Sequence, residues 1–111
     1  VITKHPEIEH WLIAGGNDSS VIGAVRALEG QGFKGKNVVG VGINGSNFAI
    51  NEFEKDNITG FYGSILLSAQ KHGYNTSEMM YNWITEGEEP PQVTWTDGTL
   101  ITRDNYQEYV E

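Results

Sequence analysis

The chain has 111 residues, room for one small domain around one core, and 38% of them are hydrophobic, with three Trp, five Tyr and four Phe. That composition excludes a disordered segment, and a net charge of −8 without any run of Lys or Arg argues against nucleic acid or anionic membranes as partners. The absence of cysteine removes disulfides and thiolate chemistry.

No apolar run approaches the roughly 18 residues of a membrane span. No signal peptide is recognisable, and a sequence opening on Val1 is expected to be an internal fragment of a longer protein. After a polar stretch from His5 to His10, the run Trp11-Leu12-Ile13-Ala14-Gly15 is too short for a helix and predicts a buried strand. Asn17, Asp18, Ser19 and Ser20 are N-cap residues, and behind them Val21, Ile22, Val25 and Leu28 form one face of an amphipathic helix. Gly30 and Gly32 stop it.

Residues 38–43 predict a second buried strand, followed by the turn Asn44-Gly45-Ser46-Asn47 and a short helix over about 48–54. Residues 58–62 predict a third strand. From 68 to 86 the pattern is helical, with Met79, Met80, Trp83 and Ile84 on one apolar face. Gly73 weakens this helix locally by about 1 kcal/mol. Gly87 and Pro90-Pro91 end it, and the acidic, proline-bearing stretch 86–92 reads as a linker. Residues 93–95 and 99–101 read as strand pieces around an Asp97-Gly98 turn, and Thr102 is placed to cap a final short helix over 104–110. Strands alternating with helices imply an α/β fold with a parallel sheet.

Ligands of open α/β sheets bind beyond the carboxyl ends of the strands. Two polar loops fall there, Gly16-Asn17-Asp18 and Asn44-Gly45-Ser46-Asn47. An Asn amide both donates and accepts, so one side chain is able to serve two neighbouring hydroxyls of a sugar. The competing reading is that Asn17 and Asn47 only cap helices. Gly40-Val41-Gly42-Ile43-Asn44-Gly45 matches G-x-G-x-x-G, the dinucleotide fingerprint, but the carboxylate expected about 20 residues on is missing.

Other features carry less. His5, Glu7, Glu9 and His10 precede the first strand, at the end opposite the expected cleft, and read as a solvated surface stretch. His72 has no apparent partner, and no catalytic triad or paired-carboxylate signature emerges. The N-x-S/T sequons at Asn17, Asn44, Asn57 and Asn75 arise easily by chance in an Asn-rich chain. Trp11 and Trp83 are expected in the core, with Trp95 undecided.

The run His5-Pro6-Glu7, His10-Trp11-Leu12-Ile13, Asn17-Asp18-Ser19, Val25-Arg26-Ala27 and Glu29-Gly30-Gln31-Gly32-Phe33 resembles bacterial L-arabinose-binding proteins. So do Gly42-Ile43-Asn44-Gly45, Thr59-Gly60-Phe61-Tyr62-Gly63-Ser64, His72-Gly73-Tyr74, Ser77-Glu78-Met79, Tyr81-Asn82-Trp83, Pro90-Pro91 and Leu100-Ile101-Thr102-Arg103-Asp104-Asn105. The resemblance covers nearly the whole chain. It implies a doubly wound parallel sheet of the type I periplasmic-binding-protein kind, in a receptor that hands a monosaccharide to the membrane permease of an ABC importer. Such receptors are extracytoplasmic, lose a signal peptide, carry no cofactor or metal and catalyse nothing.

The same resemblance implies that residues 1–67 are part of a C-terminal lobe, that 68–95 belong to an N-terminal lobe otherwise absent here, and that 96–111 return to the first. Leu67, Thr96 and Asp97 would be hinge positions. Asn17 and Asn44 would hydrogen-bond the sugar, with Asn47 and Gly16 beside them. The family usually has Met at the position of Gly16 and Asp at that of Asn47, so the wall and donor set differ from the usual arabinose site. The helix over 68–86 would lack its normal sheet and either fold back on this chain or pair with a second copy. The rival readings are the sugar-effector domain of a transcription regulator and, more distantly, an NAD-dependent enzyme.

Overall fold

The structure, a computed structural model, describes residues 1–110. Alternation begins the fold. In β1 (Trp11–Ala14) Trp11 and Ile13 turn toward the core while Leu12 and Ala14 face outward. The next element, α1 (Asp18–Gly30), buries Asp18, Val21, Val25 and Leu28, one stripe at helical spacing. Its chain reverses through Gln31 and Gly32, whose φ of +93° suits a residue without a side chain.

β2 (Val38–Asn44) buries Val38, Gly40 and Gly42 on the same side. α2 (Asn47–Phe53) adds Ala49, Glu52 and Phe53, and β3 (Phe61–Leu66) adds Phe61 and Ser64. α3 (Ala69–Glu86) follows, and β4 (Thr99–Thr102) contributes Ile101.

The sheet order is β1-β2-β3-β4. The first three strands are parallel, Trp11 opposite Val38 and Gly40 opposite Phe61, with a register shift after Gly40. β4 runs antiparallel to β3, pairing Leu66 with Thr99 and Gly63 with Thr102. One core of Val21, Val25, Leu28, Val38, Ala49, Phe53, Phe61 and Ile101 lies between this sheet and the two helices α1 and α2. Phe53 packs against Phe61 and Tyr106 at ring-centroid distances of 5.7 and 5.5 Å. The chain divides into two compact units, one from Val1–Leu66 with the segment from Thr99 onward, the other Leu67–Gly98.

Several sequence expectations are corrected. β1 is an edge strand rather than a fully buried one, and Leu12, which faces away from the core, is 77% exposed. Trp11 is half-buried, edge-on to Phe33 at 6.3 Å. The third strand starts three residues later than its apolar signal. Ile58 points outward, because 58–60 are held as an irregular crossing: Gly60 N–H donates to Glu29, Gly60 C=O accepts from Gly40 N–H, and Thr59 bonds Glu52.

Residues 93–95 form no strand, and the Asp97-Gly98 hairpin does not occur, since β4 takes β3 as its partner instead. The final helix shrinks to a single 3-10 turn, Tyr106–Glu108. Thr102 does not cap it; the Thr102 N–H instead donates to the Asn105 side chain at 2.7 Å. In the second unit α3 is capped by Ser68 and by Gly87 in the left-handed region, but buries none of its residues. Its face of Met79, Met80, Trp83 and Ile84 finds no facing layer within that unit, so Trp83 is 46% exposed rather than a core residue. Trp95 is exposed as well.

Candidate functional site

The carboxyl ends of β1 and β2 bring the two asparagine loops side by side, since Ala14 pairs with Val41 and Gly15 N–H reaches Val41 C=O. Asn17 is the N-cap of α1. Its Oδ1 accepts from Ser20 N–H at 2.9 Å and from the Ser19 hydroxyl at 3.0 Å. The exposed amide therefore has its acceptor filled and its NH2 group open.

Asn44 ends β2 with φ +116°, the one non-glycine residue in the left-handed half of backbone space among the described residues. Such a conformation costs about 1–3 kcal/mol and persists where the surroundings over-determine it, typically at ligand loops. Gly45 follows at φ +63°. The Asn44 side chain is exposed at the tip and makes no hydrogen bond among the described residues.

Asn47 is the first residue of α2, not its cap; Ser46 holds the cap position. Its hydroxyl makes no capping bond because it donates to Asp18 Oδ2 at 2.7 Å. Asn47 is exposed beside Asn44. Gly16 is exposed too, and a Cβ added there would meet nothing within 4 Å. Leu67 opens the second unit, and Thr96 and Asp97 lie exposed just before its end at Gly98.

Beneath the asparagines is a group that pattern reading passed over. Asp18 is 1% exposed and accepts three hydrogen bonds, from Ser46 N–H, the Ser46 hydroxyl and the Ser64 hydroxyl. The available signal was its position, since residues 18, 21, 25 and 28 share the buried stripe of α1, where a carboxylate is unexpected without partners.

The glycine motif has a packing explanation. Gly40 and Gly42 lie inside β2 rather than in a turn beyond it. A Cβ on Gly40 would stand 2.8 Å from Val25, and one on Gly42 would stand 2.3 Å from Asp18 Oδ1. They admit α1 against the sheet; they do not cradle a pyrophosphate.

At the opposite end of the sheet lies a charged cluster. Glu52 is buried and accepts from Arg26 and Lys55, each at 2.5 Å, and from Thr59 at 3.0 Å. Burial pushes its carboxyl upward, but the bonds from Lys55, Arg26 and Thr59 outweigh this and hold it below the usual carboxylate value. Burial likewise opposes the charge on Arg26, and Glu52 and Glu29 override it to raise its pKa. Arg103 donates to the backbone oxygens of Glu52, Lys55 and Asn57, closing the carboxyl end of α2. A shallow depression beside this cluster is bordered in part by Arg26, Glu29, Lys55 and Thr59, whose polar groups are bonded to one another or to Glu52.

The exposed groups at the asparagine loops are neutral amides, and the carboxylate beneath them is satisfied. Such a set suits a neutral ligand rich in hydroxyls. Its serine hydroxyls bond to Asn17 and Asp18, not to a histidine. The sequence profile of periplasmic binding proteins and the sugar-binding domain of the LacI family matches residues 1–109. The chain belongs to this family.

Relatives in the periplasmic-binding-protein family include the L-arabinose-binding periplasmic protein of Escherichia coli strain K12. It is 54% identical over 112 aligned positions that take in 100% of this chain and 34% of the relative. The ABC transporter L-arabinose-binding periplasmic protein of Azospirillum brasilense is 42% identical over 107 positions, 96% of this chain and 32% of the relative. The chain thus spans about a third of the length of these relatives. Both are binding proteins by name, not enzymes. The α/β unit, with its mostly parallel four-stranded sheet, agrees with part of one lobe of that fold.

Proposed function

We propose that this chain forms part of an extracytoplasmic receptor for a monosaccharide, an arabinose-like pentose or related hexose, that serves the membrane permease of an ABC importer. It carries half of the sugar site. Asn44 donates and accepts at adjacent hydroxyls, Asn17 donates through its NH2, Asn47 supports Asn44, and the open space at Gly16 enlarges the pocket wall. The observation that carries this reading is the left-handed backbone of Asn44, whose exposed amide, without a hydrogen bond among the described residues, lies at the carboxyl end of the sheet on the strand next to the one that precedes Asn17. No catalysis, cofactor or metal is part of it.

On the same reading, residues 1–67 and 96–111 belong to one lobe and 68–95 to the other, with Leu67, Thr96 and Asp97 as hinges. The division of the chain after Leu66 and Gly98 supports it. Lobe closure would desolvate the sugar and create the form the importer recognises. The isolated chain, with the Met80, Trp83 and Ile84 face of α3 exposed, would self-associate and bind sugar weakly.

The test is a sugar-panel titration of the full-length protein that contains this chain, read by Trp fluorescence, with NAD as a separate arm. The expected result is saturable binding of a pentose or hexose and a loss of about 1–3 kcal/mol in Asn44→Gly, which removes the amide without straining the backbone. A response to NAD and to no sugar overturns the proposal.

A further inference from the structure

We infer that Asp18 is a positioning residue that sets the spacing between Asn17 and Asn44, and with it the choice among sugar epimers; this rests on the sugar-binding reading. Asp18 adjoins Asn17 in sequence and reaches the Asn44 loop by two routes. Directly, its Oδ2 accepts from Ser46 N–H at 2.8 Å and from the Ser46 hydroxyl at 2.7 Å. Through β3, its Oδ1 accepts from the Ser64 hydroxyl at 2.5 Å, and that hydroxyl oxygen accepts from Gly45 N–H at 2.9 Å. The backbone N–H of Gly45 can only donate, so the direction of the relay follows: Gly45 donates to the Ser64 oxygen, and the hydroxyl proton of Ser64 goes to Asp18.

The relay grips the two residues that follow Asn44, the segment that must be held if a non-glycine residue is to stay at φ +116°. Gly42 leaves the carboxylate its seat, since any Cβ there would stand 2.3 Å from Asp18 Oδ1. A buried carboxylate is a poor device for stability alone, because apolar residues of similar volume serve as well or better. It is a good device for fixing relative positions, because each of its oxygens has directional partners on a different element. Asp18 touches no ligand in this scheme. It acts through Ser46 and Ser64 on the amide of Asn44, while its own backbone carries Asn17.

The experiment uses the full-length protein containing this chain, with Asp18→Asn, Ser64→Ala, Asn44→Gly and the doubles Asp18→Asn/Asn44→Gly and Ser64→Ala/Asn44→Gly. Each is titrated with L-arabinose, its C4 epimer D-xylose and the other sugars of the panel, and melting temperatures are recorded in parallel. Asp18→Asn is expected to weaken the preferred sugar about tenfold and to shrink its advantage over the epimers. In the Asn44→Gly background it should change affinity by less than about threefold, because the group it positions is gone. Equal weakening in both backgrounds, or a lower melting temperature with unchanged affinity and selectivity, marks a merely structural role and overturns the inference while leaving the sugar reading intact. A wild type that binds no sugar overturns both. If Asp18→Asn fails to fold, Ser64→Ala, which cuts only the Gly45 arm, is held to the same criteria.

Discussion

The Oδ1 of Asn17 stands 2.9 Å from the amide nitrogen of Ser20, so the bond that caps α1 also decides which end of the side chain faces outward. On the proposed reading, capping and ligand binding would be two uses of one amide, divided between its oxygen and its nitrogen. Asn17→Asp keeps the acceptor and loses the donor. It should hold the melting temperature within the equivalent of about 0.5 kcal/mol while lowering sugar affinity. Asn17→Ala loses both, and thermal denaturation should show about 1 kcal/mol of destabilisation besides.

The backbone of Asn44 makes a second prediction. Relief of its positive φ should make Asn44→Gly more stable by about 0.5–1 kcal/mol toward urea, even as it weakens sugar binding. Asn44→Val, β-branched at the same φ, should be destabilised. If Asn44→Val matched the wild type in urea, the strain assigned to this position would be refuted.

Acid should act through Glu52. Its folded pKa lies below the ordinary 4.5, so its contribution is fully present above that value and is lost as pH falls through the depressed folded one. Urea midpoints measured from pH 7 down to pH 3 should fall at the acid end. Glu52→Gln should flatten that fall and cost about 1–2 kcal/mol at pH 7, a figure reduced because Arg26 and Lys55 are partly solvated.

Two glycines of the site should respond oppositely to a side chain. Gly42→Ala drives a methyl into Asp18 and should cost more than about 2 kcal/mol by chemical denaturation. Gly16→Met meets open space and should leave stability within about 0.5 kcal/mol while altering the ranking of sugars in the panel.

Periodicity located α1 well because Val21, Val25 and Leu28 all face one core, and β2 because its inward positions are apolar or glycine. It misplaced β3 because Ile58 carries an apolar signal in a loop whose path is set by polar bonds to Glu29 and Glu52. It assigned Trp83 to a core because an amphipathic stripe in sequence does not say which layer covers it. The two asparagine loops were legible from N-cap chemistry after short strands. Asp18 was not, because its partners Ser46 and Ser64 lie 28 and 46 residues away and only the folded sheet brings them together.

The pairing of Leu66 with Thr99 has a topological consequence. These are the last residue before the second unit and the first after it, and they sit directly opposite each other on adjacent antiparallel strands. The excursion through 67–98 therefore leaves and re-enters the sheet at a single rung of the ladder. It is a graft on a β-hairpin: excising it and joining Leu66 to Thr99 through Asn-Gly should leave β3 and β4 zipped in the same register.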